Sequence, residues 1–341
     1  MWHWAALPHR SVRTPAQIHA LVSSALALCS LTHMRARTVG SLSGGGRQRA
    51  HLARAVAQKP SILLLDVVHD LNMTEMALAL KLNDRMVGVT GITGWYKTGP
   101  EFKSSLGKIP ELAPKNPSLE SILSVNPDFF FAGWNYSMKV GSEVTPDALA
   151  KYNIKTLVLS ESCIHVNKQR PPASMDLLYV DFVKLGSIFG KQEQAQAQVS
   201  RWKTWLSDLK KAGNSSKSTR VFLYDSGEDK PFTAGKFAIP TAMIEAAGGT
   251  NIMADMPTSW GTTAWETVAA RNPQFLIMLD YEDGNGVTKL MQFLKSHPAM
   301  KETDAVKNNR FVALRYAELT PGPANISAIE KIATAMATTT K

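Results

Sequence analysis

Cysteine is scarce: the chain of 341 residues has two, Cys29 and Cys163. That excludes a disulfide framework, and such low usage does not separate a reducing compartment from an oxidising one. No apolar run reaches the roughly 18 residues that a membrane-spanning helix needs. There is no zinc-finger spacing and no basic-aromatic RNA motif. There is also no Gly-x-x-x-x-Gly-Lys-Ser/Thr loop to cradle a triphosphate. The net charge is +10, but the basic residues are scattered apart from one cluster between Arg35 and Arg54. Nucleic acid is therefore not the expected partner. Hydrophobic residues at 44% and charged residues at 19% are ordinary for a folded globular protein. The length allows one large domain or two medium ones.

The stretch from Ala20 to Leu31 is mildly apolar and follows Arg10 and Arg13, an order faintly similar to a signal peptide's. Ser23, Ser24, Ser30, Thr32 and His33 make it a poor hydrophobic segment. Leu26-Ala27-Leu28-Cys29 lacks the small residue expected before a lipidated cysteine. No convincing export signal is read here.

The chain says nearly the same thing twice. Pro117-Ser118-Leu119-Glu120 leads through Asn126-Pro127-Asp128 into Phe129-Phe130-Phe131. Far downstream, Ala264-Trp265-Glu266 leads through Asn272-Pro273-Gln274 into Phe275-Leu276-Ile277-Met278. Each copy reads as a short amphipathic helix, an Asn-Pro break and a buried strand, with the Glu seven residues before the Pro. Such a repeat predicts two similar lobes, although helix–break–strand is also ordinary α/β punctuation.

Near the start, Leu42-Ser43-Gly44-Gly45-Gly46 opens a helix that runs through Ala50–Ala57, and Ile62-Leu63-Leu64-Leu65-Asp66 follows as an apolar strand. A Ser followed by glycines at a helix N-terminus presents free N–H groups to an anion. These residues resemble the signature motif and Walker B strand of ABC-transporter ATPases, and His69 the switch histidine of that family. The resemblance implies a nucleotide-binding role for Ser43, Gly44, Gly45, Asp66 and His69. Yet the phosphate loop is absent, and Val67 stands where that family places a water-positioning Glu. Residues 1–72 are thus read as a truncated ATPase remnant. Residual nucleotide binding and a non-functional gene fusion remain as alternatives.

From Thr74 onward, strands and helices alternate, which implies parallel sheets with a ligand crevice at the strands' carboxyl ends. The expected divisions are an N-terminal lobe over 73–170, a helical connector over 171–217 and a C-terminal lobe over 218–341. Ala195, Val199, Trp202, Leu206 and Leu209 recur at helical spacing, predicting a connecting helix of about 30 Å.

Taken together, Thr74-Glu75-Met76, Val87-Gly88-Val89-Thr90, the two Glu/Asn-Pro units and Ala246-Ala247-Gly248-Gly249-Thr250-Asn251 resemble the periplasmic binding proteins of cobalamin and ferric-siderophore ABC importers. The resemblance implies a class III fold: α/β, with two Rossmann-like lobes built on central parallel sheets and joined by one long helix. It implies a monomer that binds a metal chelate (siderophore, corrinoid or haem-like) between the lobes, works without enzymatic chemistry and needs no cofactor. It also implies periplasmic location, and docking on ABC permease subunits through Glu120 and Glu266. In that family a first strand precedes the Thr-Glu helix, and Ile62–Val68 is expected to supply it here, since its composition suits a buried parallel strand.

The cleft residues expected are Trp95, Tyr96, Trp134, Tyr136, Glu161 and His165 from the first lobe. From the second come Tyr224, Phe232, Trp260, Tyr281, Arg315 and Tyr316. Aromatic rings in strand-end loops suit a flat ligand, or they plug their own lobe's edge. Arg315 is set to meet an anionic ligand or to pair with Glu318 or Glu282. Glu161-Ser162-Cys163-Ile164-His165 lacks a converging set of metal ligands, and no third group orients Cys163 and His165 for nucleophilic chemistry. It reads as a cleft-lining loop. Glu120 and Glu266 each lie in a first helical turn, where a carboxylate also meets the helix dipole.

Overall fold

Four buried residues, Asp66–His69, form strand β1, and the first lobe is laid out around them. The computed structural model describes residues 65–94, 98, 100–212, 218–281 and 285–338, together with positions 23, 26, 32 and 41. The chain divides into two units, Met1–Leu63 and Leu64–Lys341, and the second is described here. β1 is followed by α1 (Leu71–Ala79), β2 (Met86–Thr90), α2 (Pro100–Leu106), β3 (Glu111–Ala113), α3 (Leu119–Leu123) and β4 (Phe129–Trp134). The short β5 (Ser137–Met138), α4 (Pro146–Ala150) and β6 (Lys155–Val158) complete the lobe. β1 lies between β2 and β4 and pairs in parallel with both, with Val68 opposite Val89 and Phe131. The expected strand over Ile62–Val68 is thus observed at Asp66–His69, and positions 62–64 lie outside the described residues. The sheet therefore begins ahead of the lobe boundary expected at residue 73, because it needs a central strand that no later segment supplies.

The second lobe contains β7 (Thr219–Tyr224), β8 (Phe232–Ala234), α7 (Ile239–Ala246) and β9 (Gly249–Asn251), with the connector helices α5 (Met175–Ile188) and α6 (Gln192–Ala212) before it. Then follow β10 (Trp260–Thr262), α8 (Trp265–Ala270), β11 (Phe275–Asp280), α9 (Asn285–Ser296), α10 (Asp304–Lys307), β12 (Phe311–Arg315), α11 (Tyr316–Leu319) and α12 (Ala324–Thr338). Its sheet runs β12-β11-β7-β9. The first sheet contains the matching path β6-β4-β1-β2. The duplicated units thus become equivalent strands: β4 and β11 each flank the first strand of their lobe. Before each, an Asn turns the chain with positive φ, 45° at Asn126 and 41° at Asn272. Asparagine tolerates that region better than most residues, and the following Pro ends the helix.

The connector ties the lobes through packing. Ala195, Val199 and Trp202 of α6 enter the first lobe's core, with Trp202 lying 4.8 Å from Phe182 of α5. One to two turns later, Leu206 and Leu209 pack against the second lobe's core. Gly186 lets α5 approach α6, since a Cβ there would stand 2.6 Å from that of Ala195. No helix among the described residues is long and apolar enough to cross a membrane.

Asp66 is the misfit in this sheet. Both carboxylate oxygens are buried without a hydrogen-bond partner, and burial raises its pKa well above the ordinary value. A group that holds its proton in the folded state but loses it when unfolded contributes most below about pH 4, and that contribution is lost as pH rises. Asp66→Val, which suits a buried strand, is expected to raise stability by at least about 1 kcal/mol at pH 7.5. The gain should shrink toward pH 4.5 in urea unfolding. A loss of stability, or a gain independent of pH, contradicts this account of Asp66.

Candidate functional site

The strands end at a seam between the two sheets. At the end of β1, Asp70 has φ 71° and ψ 155°, a conformation nearly confined to glycine. Its Oδ1 accepts the N–H of Leu71 at 2.7 Å and so caps α1. The next turn presents Asn72, whose Nδ2 donates across the seam to the carbonyl of Pro321 at 2.7 Å. Glu75, on the same helix, is half-buried, and burial pushes it up to about 7 despite the opposing charge of Arg315. Glu75, Leu78, Glu101, Phe102, Ser105 and Arg315 line a cavity of about 410 Å³ where the two lobes meet.

At the end of β4, Trp134 is half-buried and donates its N–H to Ser162 Oγ at 2.9 Å. Asn135 holds His165 through a 3.0 Å contact to Nδ1, and His165 is exposed, with partial desolvation lowering its pKa. Tyr136 lies beside Trp260 of the second lobe. Burial first, then the charges of Glu161, Tyr316 and Asp70, keep its phenol protonated. Trp260 in turn stacks on Phe232, with centroids 5.9 Å apart and planes at 17°. Four rings from the two lobes, Tyr136, Tyr316, Trp260 and Phe232, are therefore half-buried around the seam.

After β6, the turn Glu161–His165 is held from behind by Asp181 of α5, which accepts the N–H and hydroxyl of Ser160 at 2.6 and 2.5 Å. Glu161 is buried, and burial pushes it up to about 7. Its Oε1 accepts Ser259 Oγ at 2.9 Å and the N–H of Ile239 at 3.3 Å, both in the second lobe.

Several expectations are corrected. Tyr224 does not face the cleft: it is fully buried beside Trp265, with ring centroids 5.2 Å apart, and its hydroxyl donates to the Gly227 carbonyl. Strand-end position alone could not reveal which face of β7 it occupies. Arg315 stands with its Nε 3.5 Å from Glu318 Oε2, and Lys331 holds the other carboxylate oxygen, so the intramolecular pairing is realised. Its side chain remains two-thirds exposed, which leaves it able to face the cavity beside Glu75. Tyr281 is half-exposed and donates to Asp225 Oδ2 at 3.0 Å.

Asp66 and His69 belong to the buried sheet, not to a nucleotide site. His69 is bonded to Thr90 Oγ1 at 2.8 Å and packs against Gly91, and burial lowers its pKa to about 3. Ser43, Gly44, Gly45, Trp95 and Tyr96 lie outside the described residues. Glu120 and Glu266 are exposed in the first turns of α3 and α8. Glu75 and Ser259 were missed as seam residues; the Thr-Glu helix and the neighbouring Trp260 were the available signals. Among the described residues, no group of three or more His, Cys, Asp or Glu side chains could hold a bare metal ion.

Comparison with known proteins agrees with this geometry. A periplasmic binding protein family model matches residues 67–317, and an ABC transporter model matches residues 5–67. A periplasmic binding protein from Veillonella parvula superposes with a TM-score of 0.72 at 26% identity, over 80% of this chain and 90% of that one. The periplasmic haem-binding protein RhuT from Roseiflexus sp. RS-1 gives 0.63 at 20%, over 82% and 99%. The vitamin B12-binding protein BtuF from Vibrio cholerae gives 0.59 at 21%, over 81% and 97%. A spermidine/putrescine import ATP-binding protein of Desulfitobacterium hafniense is 40% identical over 79 residues, 22% of this chain and 23% of that protein. A sulfate/thiosulfate import ATP-binding protein of Salmonella typhi is 47% identical over 60 residues, 18% and 16%. The chain thus spans less than a quarter of the curated ATPases it matches. Two lobes of one strand order around a shared seam, and a family match over most of the chain, lead to one conclusion: the chain belongs to the periplasmic binding protein family.

Proposed function

We propose that the chain captures a metal chelate for an ABC importer, taking an iron–siderophore, a corrinoid or a haem-like molecule between its lobes. The observation that carries this reading is the set of half-buried aromatic rings contributed to one seam by both lobes. Rings in such a place offer flat apolar contact, while Glu75 and Arg315 provide polar fixing points beside them. The role proposed is capture and delivery, as the family implies. The family implies an extracytoplasmic place of action. Its solved members named above bind haem and vitamin B12, which keeps the ligand class open among chelates.

Delivery would run through Glu120 and Glu266. They are exposed, on equivalent helices of the two lobes, and so present one negative charge per lobe to a pair of permease subunits. Their favourable meeting with the helix dipole, roughly 0.3 to 1 kcal/mol each, is compatible with that role. Nucleotide hydrolysis has less support. The Walker B-like Asp66 is enclosed in the binding-protein sheet.

Three outcomes are expected. Titration with haemin, ferrioxamine B and cyanocobalamin should quench tryptophan fluorescence with submicromolar affinity for at least one, and Trp260→Leu should weaken that binding about tenfold or more. No binding in the panel, with a bare metal ion bound instead, sinks the chelate reading. Glu120→Arg combined with Glu266→Arg should abolish uptake in a reconstituted importer while leaving ligand affinity within about twofold; undiminished uptake removes the docking role. Equilibrium dialysis with ATP should show no binding at millimolar concentration, and saturable binding there would restore the nucleotide reading.

A further inference from the structure

Glu161, like Asn72, reaches across the seam with one polar atom and leaves the other buried without a partner, but of the two only Glu161 is titratable. One oxygen of its carboxyl, Oε1, takes both hydrogen bonds from the second lobe, at 2.9 Å from Ser259 Oγ and 3.3 Å from the Ile239 N–H. The other, Oε2, is buried with no hydrogen-bond partner. The side chain that bridges the lobes is therefore satisfied on one side only. Ser259 leads directly into Trp260, which lies beside Tyr136 of the first lobe. That carboxyl thus holds the residue next to the second lobe's cleft aromatic.

Its surroundings decide its charge. An ionised carboxylate is an acceptor only, and burying it without full pairing is costly. Facing it from α5 is Asp181, another acid, already occupied by Ser160 and with Lys184 3.7 Å away. The loop after β4 contributes the Tyr136 phenol, and Glu161's own turn contributes Cys163, on which Arg170 acts. From the second lobe come only the Ser259 hydroxyl and the Ile239 N–H. Among the described residues, no lysine, arginine or histidine forms an ion pair with Glu161 itself.

We propose that Glu161 is a proton-linked latch across the cleft: with a proton on Oε2 it ties the second lobe's Ser259–Trp260 segment to the first lobe, and losing that proton loosens the tie. The direction follows from the two environments. In the latched seam, burial pushes the carboxyl up to about 7, the acid Asp181 adding to the rise and the two hydrogen bonds opposing it. With the lobes apart it would be hydrated and near its ordinary value of 4.5. The latched form therefore binds the proton more tightly. Closure is fullest below pH 4.5, weakens by up to about tenfold per pH unit as pH rises toward 7, and is flat beyond that. Glu75 titrates in the same range at the same seam, facing Arg315 and Glu318, so its contribution has to be separated.

The latch needs no ligand, and its test is independent of whether the chelate reading stands. Amide hydrogen exchange of the full chain, without ligand and corrected for intrinsic chemistry, should be followed at Ile239–Ala246 and Ser259–Thr262 at pH 5.5 and 7.5. In the unmodified protein, protection is expected to fall about tenfold or more between those values. Glu161→Gln, neutral at both, should lose most of that fall, while Glu75→Gln should keep most of it. Ser259→Ala, which removes one latch bond from the opposite lobe, should lower protection at pH 5.5. Constant protection in the unmodified protein overturns the latch. So does a fall retained in full by Glu161→Gln, a fall abolished by Glu75→Gln, or a Ser259→Ala protein protected as well as the original at pH 5.5.

Discussion

The parallel pairing of Asp66–His69 with both of its neighbours is the constraint on which the first lobe depends. A strand in that position must be buried on both faces and hydrogen-bonded on both edges. Val67 and Val68 meet the demand: Val67 packs toward Phe130, Ile122 and Ala132, and Val68 toward Phe131, Met73 and Phe182. The strand also aims Asp70 and α1 at the seam, so Asn72 and Glu75 reach the second lobe only because β1 is where it is. The ABC transporter match ends at residue 67 and the binding-protein match begins there, so the join between the two sequence types falls inside this strand.

That origin explains the strand's flaws. An acid at the end of an apolar run suits a site where a charged ligand waits at the strand tip. Here the sheet begins at that acid, and its oxygens are left buried without partners. His69 fares better: Thr90 receives it, and the absent side chain of Gly91 makes room for the ring. The second lobe shows the same architecture without the misfit. There β7 enters the sheet as an unbroken run from Val221 to Tyr224, and Asp225, the counterpart of Asp70 after the strand, is held by Ser226 and Tyr281.

Much of the fold was legible because its signals are local. The paired Glu and Asn-Pro units announced two lobes, and the five apolar positions of α6 announced a helix whose contacts pass from one core to the other. The seam was legible only in outline. Position after a strand places a residue near the crevice but does not say which way it faces, and so the pattern predicts a cleft residue at Tyr224 although its ring fills the core. Glu161 was recognised as part of a cleft loop, while its partners lie 78 and 98 residues downstream, beyond any periodic signal. Asp66 had the composition of a functional acid, and only the paired strands on either side reveal that it is enclosed.

β1 is the structural centre of the first lobe, whatever its sequence once served. Two shortened chains test this most directly by thermal unfolding, one beginning at residue 65 and the other at residue 71. The first is predicted to unfold in a single cooperative transition. The second, deprived of the strand, is predicted to show none. A cooperative transition of equal midpoint in both would contradict the account.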